Sequence, residues 1–499
     1  MSVVEDAYAH LMVLAGRERP DFVTIEQGAP AMKTRFHAEE AGAAILAAGG
    51  TVAADIWKQR TGQGQSVTVS TREAAAALRS YTFMRFDDQS KAPPMRIPPG
   101  TPGAQPADLG GGLRATASGP MRTKDGRWIF LHPSFPESTK RLQAVVGNPK
   151  TREEAVAAVL QWNAMDLENA VADARACAGM VRTPEEWDQS EQGRVLAGRP
   201  VVEVTKIADS PPVPFAKDGD MPLSGVRALD LTRVLAGPTC GRTLAQYGAD
   251  VLYLASPNLP SSAGFVPDTN HGKISAWCDL DTEDGKATLR TLVKQTDVFS
   301  QGYRAGALDK RGFSPLELAE LRPGIIVTAI NAYGHEGPWR HRAGWEQLAQ
   351  TVTGMSYLHG QHIGAEEPTL QPGAVTDYGT GLLAGFGTLL ALYRRALYGG
   401  SYMVRVSLSQ TGVWIRKLGI QEPERLGATI NPDADEVKSW LIRTENGGWG
   451  PMSHLRPAVR MSATPARWKR PVVQLGTHEP AFPAKADGDV KLAKALETA

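Results

Sequence analysis

One stretch of this chain occurs twice. Residues 40–70, moved forward by 337 positions without a gap, fall on residues 377–407, and ten of the 31 positions are identical. The matches pair Gly42 with Gly379, Gly50 with Gly387, Thr51 with Thr388, Gly62 with Gly399, Val67 with Val404 and Val69 with Val406, among others. A bias toward alanine and glycine explains part of this, but matched glycines at a turn and a matched strand are harder to obtain by composition. The pattern is a duplicated helix–turn–strand unit, and any fold must house both copies. In the first copy a small-residue helix spans about 37–60, a turn follows at 61–65, the alternating run Ser66-Val67-Thr68-Val69-Ser70 reads as a strand, and 71–81 reads as a further helix.

The second copy opens on Thr376-Asp377-Tyr378-Gly379-Thr380-Gly381, ahead of the apolar run 382–393. A carboxylate in the first turn of a buried helix meets unpaired N–H groups and the positive end of the helix dipole, so Asp377 can stay ionised in apolar surroundings. Gly379 and Gly381 leave the flank of that turn bare for a close approach. An ordinary N-cap accounts for these six residues equally well. The first copy carries Glu40 at the equivalent position, read as a structural helix-start residue.

At 499 residues the chain is too long for one core and calls for two to four units. Its 54 lysines and arginines almost cancel its 53 aspartates and glutamates, so no overall field draws it to nucleic acid or anionic lipid, and an anionic ligand needs a local pocket. Cys177, Cys240 and Cys278 are widely separated and fit neither a zinc spacing nor a disulfide framework, which makes a reducing cytoplasm the expected compartment. No signal peptide, no membrane span and no metal site are expected.

The units follow from punctuation and periodicity. Residues 1–36 form an N-terminal segment with a short amphipathic helix, and 37–85 hold the first copy. Residues 86–210 read as a small α+β domain. It begins with a Pro/Gly-dense stretch that includes Pro98-Pro99-Gly100 and Gly110-Gly111-Gly112, continues with a hairpin turning at Asp125-Gly126, and ends on a strand at 201–204. A proline-marked linker covers 211–221. From 222 to 420, strand and helix patterns alternate as in a parallel sheet, with strands expected near 226–231, 251–254, 297–300 and 325–330 and helices near 238–247, 283–295 and 315–321. No dinucleotide fingerprint follows the first strand; Val234-Leu235-Ala236-Gly237-Pro238 stands there instead, with Pro238 suited to a first helical turn. Residues 421–499 read as a tail laid over the large domain.

Several pieces arrive in one order: Leu229-Asp230-Leu231-Thr232-Arg233-Val234-Leu235-Ala236-Gly237-Pro238; Asn270-His271-Gly272-Lys273; Gly306-Ala307-Leu308-Asp309; Tyr333-Gly334-His335-Glu336-Gly337-Pro338; Asp377 with its glycines; and Leu475-Gly476-Thr477-His478. In this the second half resembles the class III CoA-transferases, the CaiB/BaiF family. The first half resembles the rest of that family, with residues 110–206 as its small domain. The usual domain order is therefore altered.

The resemblance implies an α/β fold: a Rossmann-like large domain and a small α+β domain, in homodimers of interlocked subunits, with the small domain closing over Asp377 either within the chain or from a partner. It implies an enzyme that transfers coenzyme A from an acyl-CoA to a carboxylic acid through an aspartyl anhydride and an aspartyl-CoA thioester at Asp377. CoA is then a substrate, and no permanent cofactor is expected. Val234, Leu235 and Ala236 fall at the nucleotide-binding turn, and Lys273 falls on a family lysine near the phosphates. Tyr303 and Lys310 stand where the family often has Phe and Arg. Residues 110–112 fall on a glycine loop that acts as a lid, although the composition equally suits a flexible linker. Gly302 for a usual Asn and Ala255 for an acidic residue are departures. A non-catalytic acyl-CoA-binding homologue and an α-methylacyl-CoA racemase are the alternatives. The second needs a base pair where this chain has Trp345-Glu346, and Trp345 cannot act as a base. His335 and His341 read as loop or core histidines. No acyl donor or acceptor is singled out.

Overall fold

A computed structural model of the chain describes residues 2–93 and 113–483. The two glycine- and proline-dense motifs at 98–100 and 110–112 lie outside them. The second half is organised around a seven-stranded sheet. Its spatial order is Lys273–Trp277, Asp250–Ala255, Arg227–Leu231, Val298–Gln301, Ile326–Asn331, Ser401–Ser407 and Glu203–Ala208. The first six run parallel and the last is antiparallel. Leu229, Leu252, Ile274 and Val327 are almost free of solvent, as strands covered on both faces require.

The chain builds this sheet outward in one direction from Arg227–Leu231, through the helix Ala236–Gln246, and then returns to the other side of that first strand by way of the helix Glu283–Val293. The order thus reverses between Arg227–Leu231 and Val298–Gln301. Side by side beyond those two strands lie Thr232 to Leu235 and Gly302 to Tyr303, at the crevice where open α/β sheets take their ligands.

All four expected strands of this sheet form. A further one, Lys273–Trp277, was hidden by its charged first residue, which reads as part of a loop. The strand expected to finish the small domain at 201–204 instead runs over Glu203–Ala208 and belongs to the large sheet, antiparallel to Ser401–Ser407. It covers what would otherwise be an exposed edge of backbone donors and acceptors.

The two copies fold alike. The helices Ala38–Thr61 and Val375–Tyr398 are each 24 residues long and end on Gly62 and Gly399, both with positive φ. A Cβ added to Gly50 would meet Val67 Cγ1 at 2.7 Å, and one added to Gly387 would meet Val404 Cγ1 at the same distance. Each glycine therefore lets its helix settle onto the matched valine of its own strand. Thr51 and Thr388 donate to the matched carbonyls of Ala47 and Ala384. Even the strand neighbours correspond: Val67–Ser70 lies between the parallel Val23–Glu26 and the antiparallel Val459–Met461, as Ser401–Ser407 lies between Ile326–Asn331 and Glu203–Ala208.

The small module carries a three-stranded sheet of Gly119–Arg122, Trp128–Leu131 and Ala178–Met180, turned at Gly126 with φ 72°, over a core that includes Met121, Ile129, Leu142 and Leu167. The C-terminal segment is less confined to the large domain than expected. Met452–Leu455 pairs with Arg85–Phe86 and Val459–Met461 with the first copy, before Arg470 reaches Asp250 and His478 bridges to Ala276. Among the described residues no helix is long and apolar enough to cross a membrane.

Candidate active site

The helix Val375–Tyr398 begins where Ala374 N–H donates to Leu78 O at 3.2 Å, so the first half of the chain sets its starting point. Its free N–H groups are not capped by Asp377. Glu346, the first residue of the helix Glu346–Val352, reaches across to accept from Thr376 N at 3.1 Å and Asp377 N at 2.5 Å, and also from Thr376 Oγ1 and from Gln350 Nε2 at 2.5 Å. The ordinary N-cap role is thus filled from another helix, and the Asp377 carboxyl is released from it.

Asp377 is 9% exposed and Glu346 5%. Burial, and then the neighbouring Glu346 charge, raise the Asp377 carboxyl well above its usual range. Burial also raises Glu346, but its hydrogen bonds with Thr376, Gln350 and the Asp377 N–H oppose that. Burial and a neighbouring carboxyl both oppose charge on Asp377, contrary to the ionised state its helix position suggests, while four donors favour charge on Glu346.

The flanking glycines serve a purpose other than the bare approach expected of them. A Cβ at Gly381 would lie 2.3 Å from Ala236 O and 2.6 Å from Thr239 Cβ, and one at Gly379 would lie 3.0 Å from Thr411 Cγ2. Protein, not open space, fills these positions, because the helices Ala236–Gln246 and Leu408–Lys417 pack there at close range. The result joins two expected parts of the site, since Gly381 seats the turn Val234-Leu235-Ala236 against the first turn of the Asp377 helix. Val234 holds φ at 71°, a strained conformation for a β-branched residue, at the end of the first sheet strand.

The other expected CoA contacts divide. Tyr303 lies on the return side of the crevice, its N–H on Gln301 Oε1 at 2.8 Å and its phenol raised by burial. Lys310 stands exposed on the turn Asp309–Arg311. Lys273 departs from its expected place at the phosphates. It has no exposed surface, and its Nζ bonds Asp230 Oδ2 and Pro238 O, each at 2.8 Å. An ammonium inside the sheet–helix layer pins Asp230 to the helix start, which in turn seats the ligand turn; it cannot reach a phosphate from there.

The small module closes over this site within the same chain. His132 stacks on Trp345 at 4.9 Å, Phe135 meets Trp345 edge-on at 5.2 Å, and the Arg233 guanidinium lies over the Phe135 ring at 4.6 Å. Gln192 Nε2 donates to Tyr333 O and Glu336 O, and Gly179 lets the sheet approach Val352, which a Cβ would meet at 2.9 Å.

Sequence reasoning missed Glu346 as a partner of Asp377, although a lone carboxylate after Trp345 at the head of an apolar helix was a signal. It also missed Tyr378, Asp268 and Tyr81. The Asp268 carboxylate accepts from Ser80 Oγ at 2.9 Å, Tyr378 Oη at 2.7 Å and Arg242 Nη1 at 2.8 Å, and so ties three segments to the residue beside Asp377. Glu40 is structural, as expected: its Oε1 lies 3.4 Å from Arg425 and 3.5 Å from His37. His335 is a half-buried residue on Val406 O, pushed down to about 4 chiefly by desolvation. No group of acidic, histidine or cysteine side chains suited to a metal ion occurs among the described residues.

Comparison with known proteins places these features. The family model described as CoA-transferase family III matches residues 20–217 and 223–424. An acetyl-coenzyme A transferase of Hypoxylon pulicicidum is 34% identical over 61% of this chain and 55% of its own length. A formyl-CoA:oxalate CoA-transferase of Rhodopseudomonas palustris is 32% identical over 41% of this chain and 50% of its own. Among solved structures, a CaiB/BaiF family protein from Brucella suis is 32% identical over 39% of this chain and 55% of that one, with a TM-score of 0.34. The chain spans about half the length of the curated relatives it matches.

Proposed function

Because the chain belongs to CoA-transferase family III, we propose that it moves coenzyme A from an acyl-CoA to a carboxylic acid, with Asp377 as the nucleophile. The observation that carries this reading is the release of the Asp377 carboxyl from helix capping by Glu346, beside the strained turn at the crevice of the sheet. A carboxyl in the first turn of a helix that does not bond the helix is available for other chemistry.

In the first step an oxygen of the Asp377 carboxylate attacks the thioester carbonyl carbon. The carbon–sulfur bond breaks, leaving an aspartyl-acyl anhydride and CoA thiolate. The thiolate then attacks the Asp377 carbonyl, expelling the acyl group as a carboxylate and forming aspartyl-CoA thioester. An acceptor carboxylate repeats both moves in reverse and leaves with CoA. Burial and the neighbouring Glu346 disfavour negative charge on Asp377, an opposition relieved once that oxygen is acylated and the charge departs on sulfur. Water must be excluded, since anhydride and thioester both hydrolyse. The roof of His132, Phe135 and Trp345 favours that exclusion.

CoA enters as substrate, with Val234, Leu235, Ala236 and Tyr303 at the crevice and Lys310 at its rim. A free thiolate intermediate suits a reducing cytoplasm, and Cys177, Cys240 and Cys278 are all unpaired and buried. A homodimer belongs to the same reading.

The test is intact-protein mass after exposure to a panel of short acyl-CoAs, with hydroxylamine or borohydride trapping, for the wild type beside Asp377→Ala. The reading expects a modification that requires Asp377. CoA binding without any Asp377-dependent modification across the panel would return the non-catalytic homologue as the better account.

A further inference from the structure

The first copy of the duplicated unit contributes more than scaffold. Its closing segment, the turn Ser80–Phe83, is carried to the head of the Asp377 helix, 297 residues further along the chain. Three contacts hold it there: Tyr81 N–H donates to Tyr378 Oη at 3.2 Å, Ser80 Oγ donates to Asp268, and Leu78 O accepts from Ala374 N–H. The Tyr81 ring lies parallel to the Tyr378 ring, 6.4 Å between centroids and 10° between planes, and takes the edge of Phe265 at 5.3 Å.

Tyr81 is 3% exposed, yet its hydroxyl has no hydrogen-bond partner among the described residues. The oxygen is not among the fully buried atoms without a partner, so the small accessible part of this residue includes its hydroxyl. Its neighbour Tyr378 spends its own hydroxyl on Asp268. Burial above all, then the charge of Glu346, with smaller contributions from Asp268 and Asp377 and against the lowering effect of Arg79, brings its phenol up to about 12. It therefore keeps its proton through the whole physiological range. A protonated, unengaged hydroxyl on a ring stacked against Tyr378, the residue next to Asp377, is the kind of donor an acyl transfer needs where negative charge develops on oxygen.

We propose that Tyr81 is a catalytic residue of this site, donating a hydrogen bond to the thioester carbonyl oxygen as Asp377 attacks. The inference rests on the transfer reading above. When the Asp377 oxygen bonds the carbonyl carbon, the π pair moves to the carbonyl oxygen, and Tyr81 Oη–H stabilises that oxyanion without giving up its proton. As the carbon–sulfur bond breaks, the pair returns to re-form the carbonyl and the CoA thiolate departs. The Asp268 node holds Tyr81 in place through Ser80 and Tyr378, and so acts as a positioning group.

The experiment uses Tyr81→Phe, which removes only the hydroxyl and keeps the ring on Tyr378. Acetyl-CoA, formyl-CoA and succinyl-CoA serve as donors, with rapid-quench mass measurement of Asp377 acylation and calorimetric measurement of CoA binding. The expected result is acylation slowed about 100-fold, in line with loss of one oxyanion donor, with CoA affinity within about threefold of wild type. A second variant carries 3,5-difluorotyrosine at position 81. Its more acidic phenol is expected to restore acylation at neutral pH and to add an alkaline loss of rate as it ionises, a signature that a structural role would not produce. Wild-type acylation rates in Tyr81→Phe, or no new alkaline limb in the fluorinated protein, would overturn the role of Tyr81 alone. Absence of acylation in the wild type with CoA still bound would overturn the transfer reading, and this role with it.

Discussion

At the scale of single residues, the site is governed by two buried carboxyl groups, Asp377 and Glu346. Part of what raises Asp377 is the charge on Glu346, so Glu346→Gln is expected to lower the Asp377 pKa and move the acid limb of Asp377 acylation to lower pH. An unmoved or upward-shifted limb in the pH–rate profile would contradict it. The same raised pKa has a stability sign. The native carboxyl binds a proton at pH values where the unfolded one has lost it, so its stabilising effect is present below the unfolded pKa and declines as pH rises through the folded value. Asp377→Asn is therefore expected to raise the thermal midpoint at neutral pH by a few degrees, on the order of 1 kcal/mol, in the manner of sites that give up stability for function. Lys273 behaves in the opposite way. Lys273→Met leaves the 1%-exposed Asp230 charge without its partner, and is expected to lower stability by about 3–5 kcal/mol in urea titrations, while the CoA affinity of the folded fraction changes little.

At the scale of elements, the site depends on helices brought unusually close by glycine. Gly50 and Gly387 perform one task in two places, admitting Val67 and Val404 to the helix surface. Gly50→Ala and Gly387→Ala should each destabilise the protein by about 1–3 kcal/mol through overpacking, visible as a lower midpoint in chemical denaturation. Each Cβ would also press on a second valine, Val459 at 2.9 Å for Gly50 and Val202 at 2.7 Å for Gly387. These glycines were visible in the sequence as matched positions. The valines they meet were visible as well, but the contact between them was not, because a helix–strand approach is set by the turn and not by either segment alone.

At the scale of the whole molecule, one chain supplies both the Asp377 helix and the module that packs over its head. Mixing Asp377→Ala with Gly179→Leu, which would drive the small sheet away from Val352, is therefore expected to restore no transfer activity, and the wild type to carry one Asp377 modification per chain. Restored activity on mixing would show that the module acts on a partner's site. The duplication, the parallel-sheet alternation, the Asp377 turn and the family motifs were all legible from residue order, since each is a matter of periodicity or of residue type at short spacing. The remainder was decided by contacts between residues far apart in the chain. Glu346 displaced Asp377 from the cap, Asp230 drew Lys273 inward, Glu203–Ala208 left the small module to finish the large sheet, and Ser80–Phe83 travelled to the nucleophile. Local sequence specifies which backbone groups and charges need partners; only the closed tertiary structure determines which distant side chain supplies them, because burial makes an unpaired group costly and many candidates satisfy it equally well along the chain.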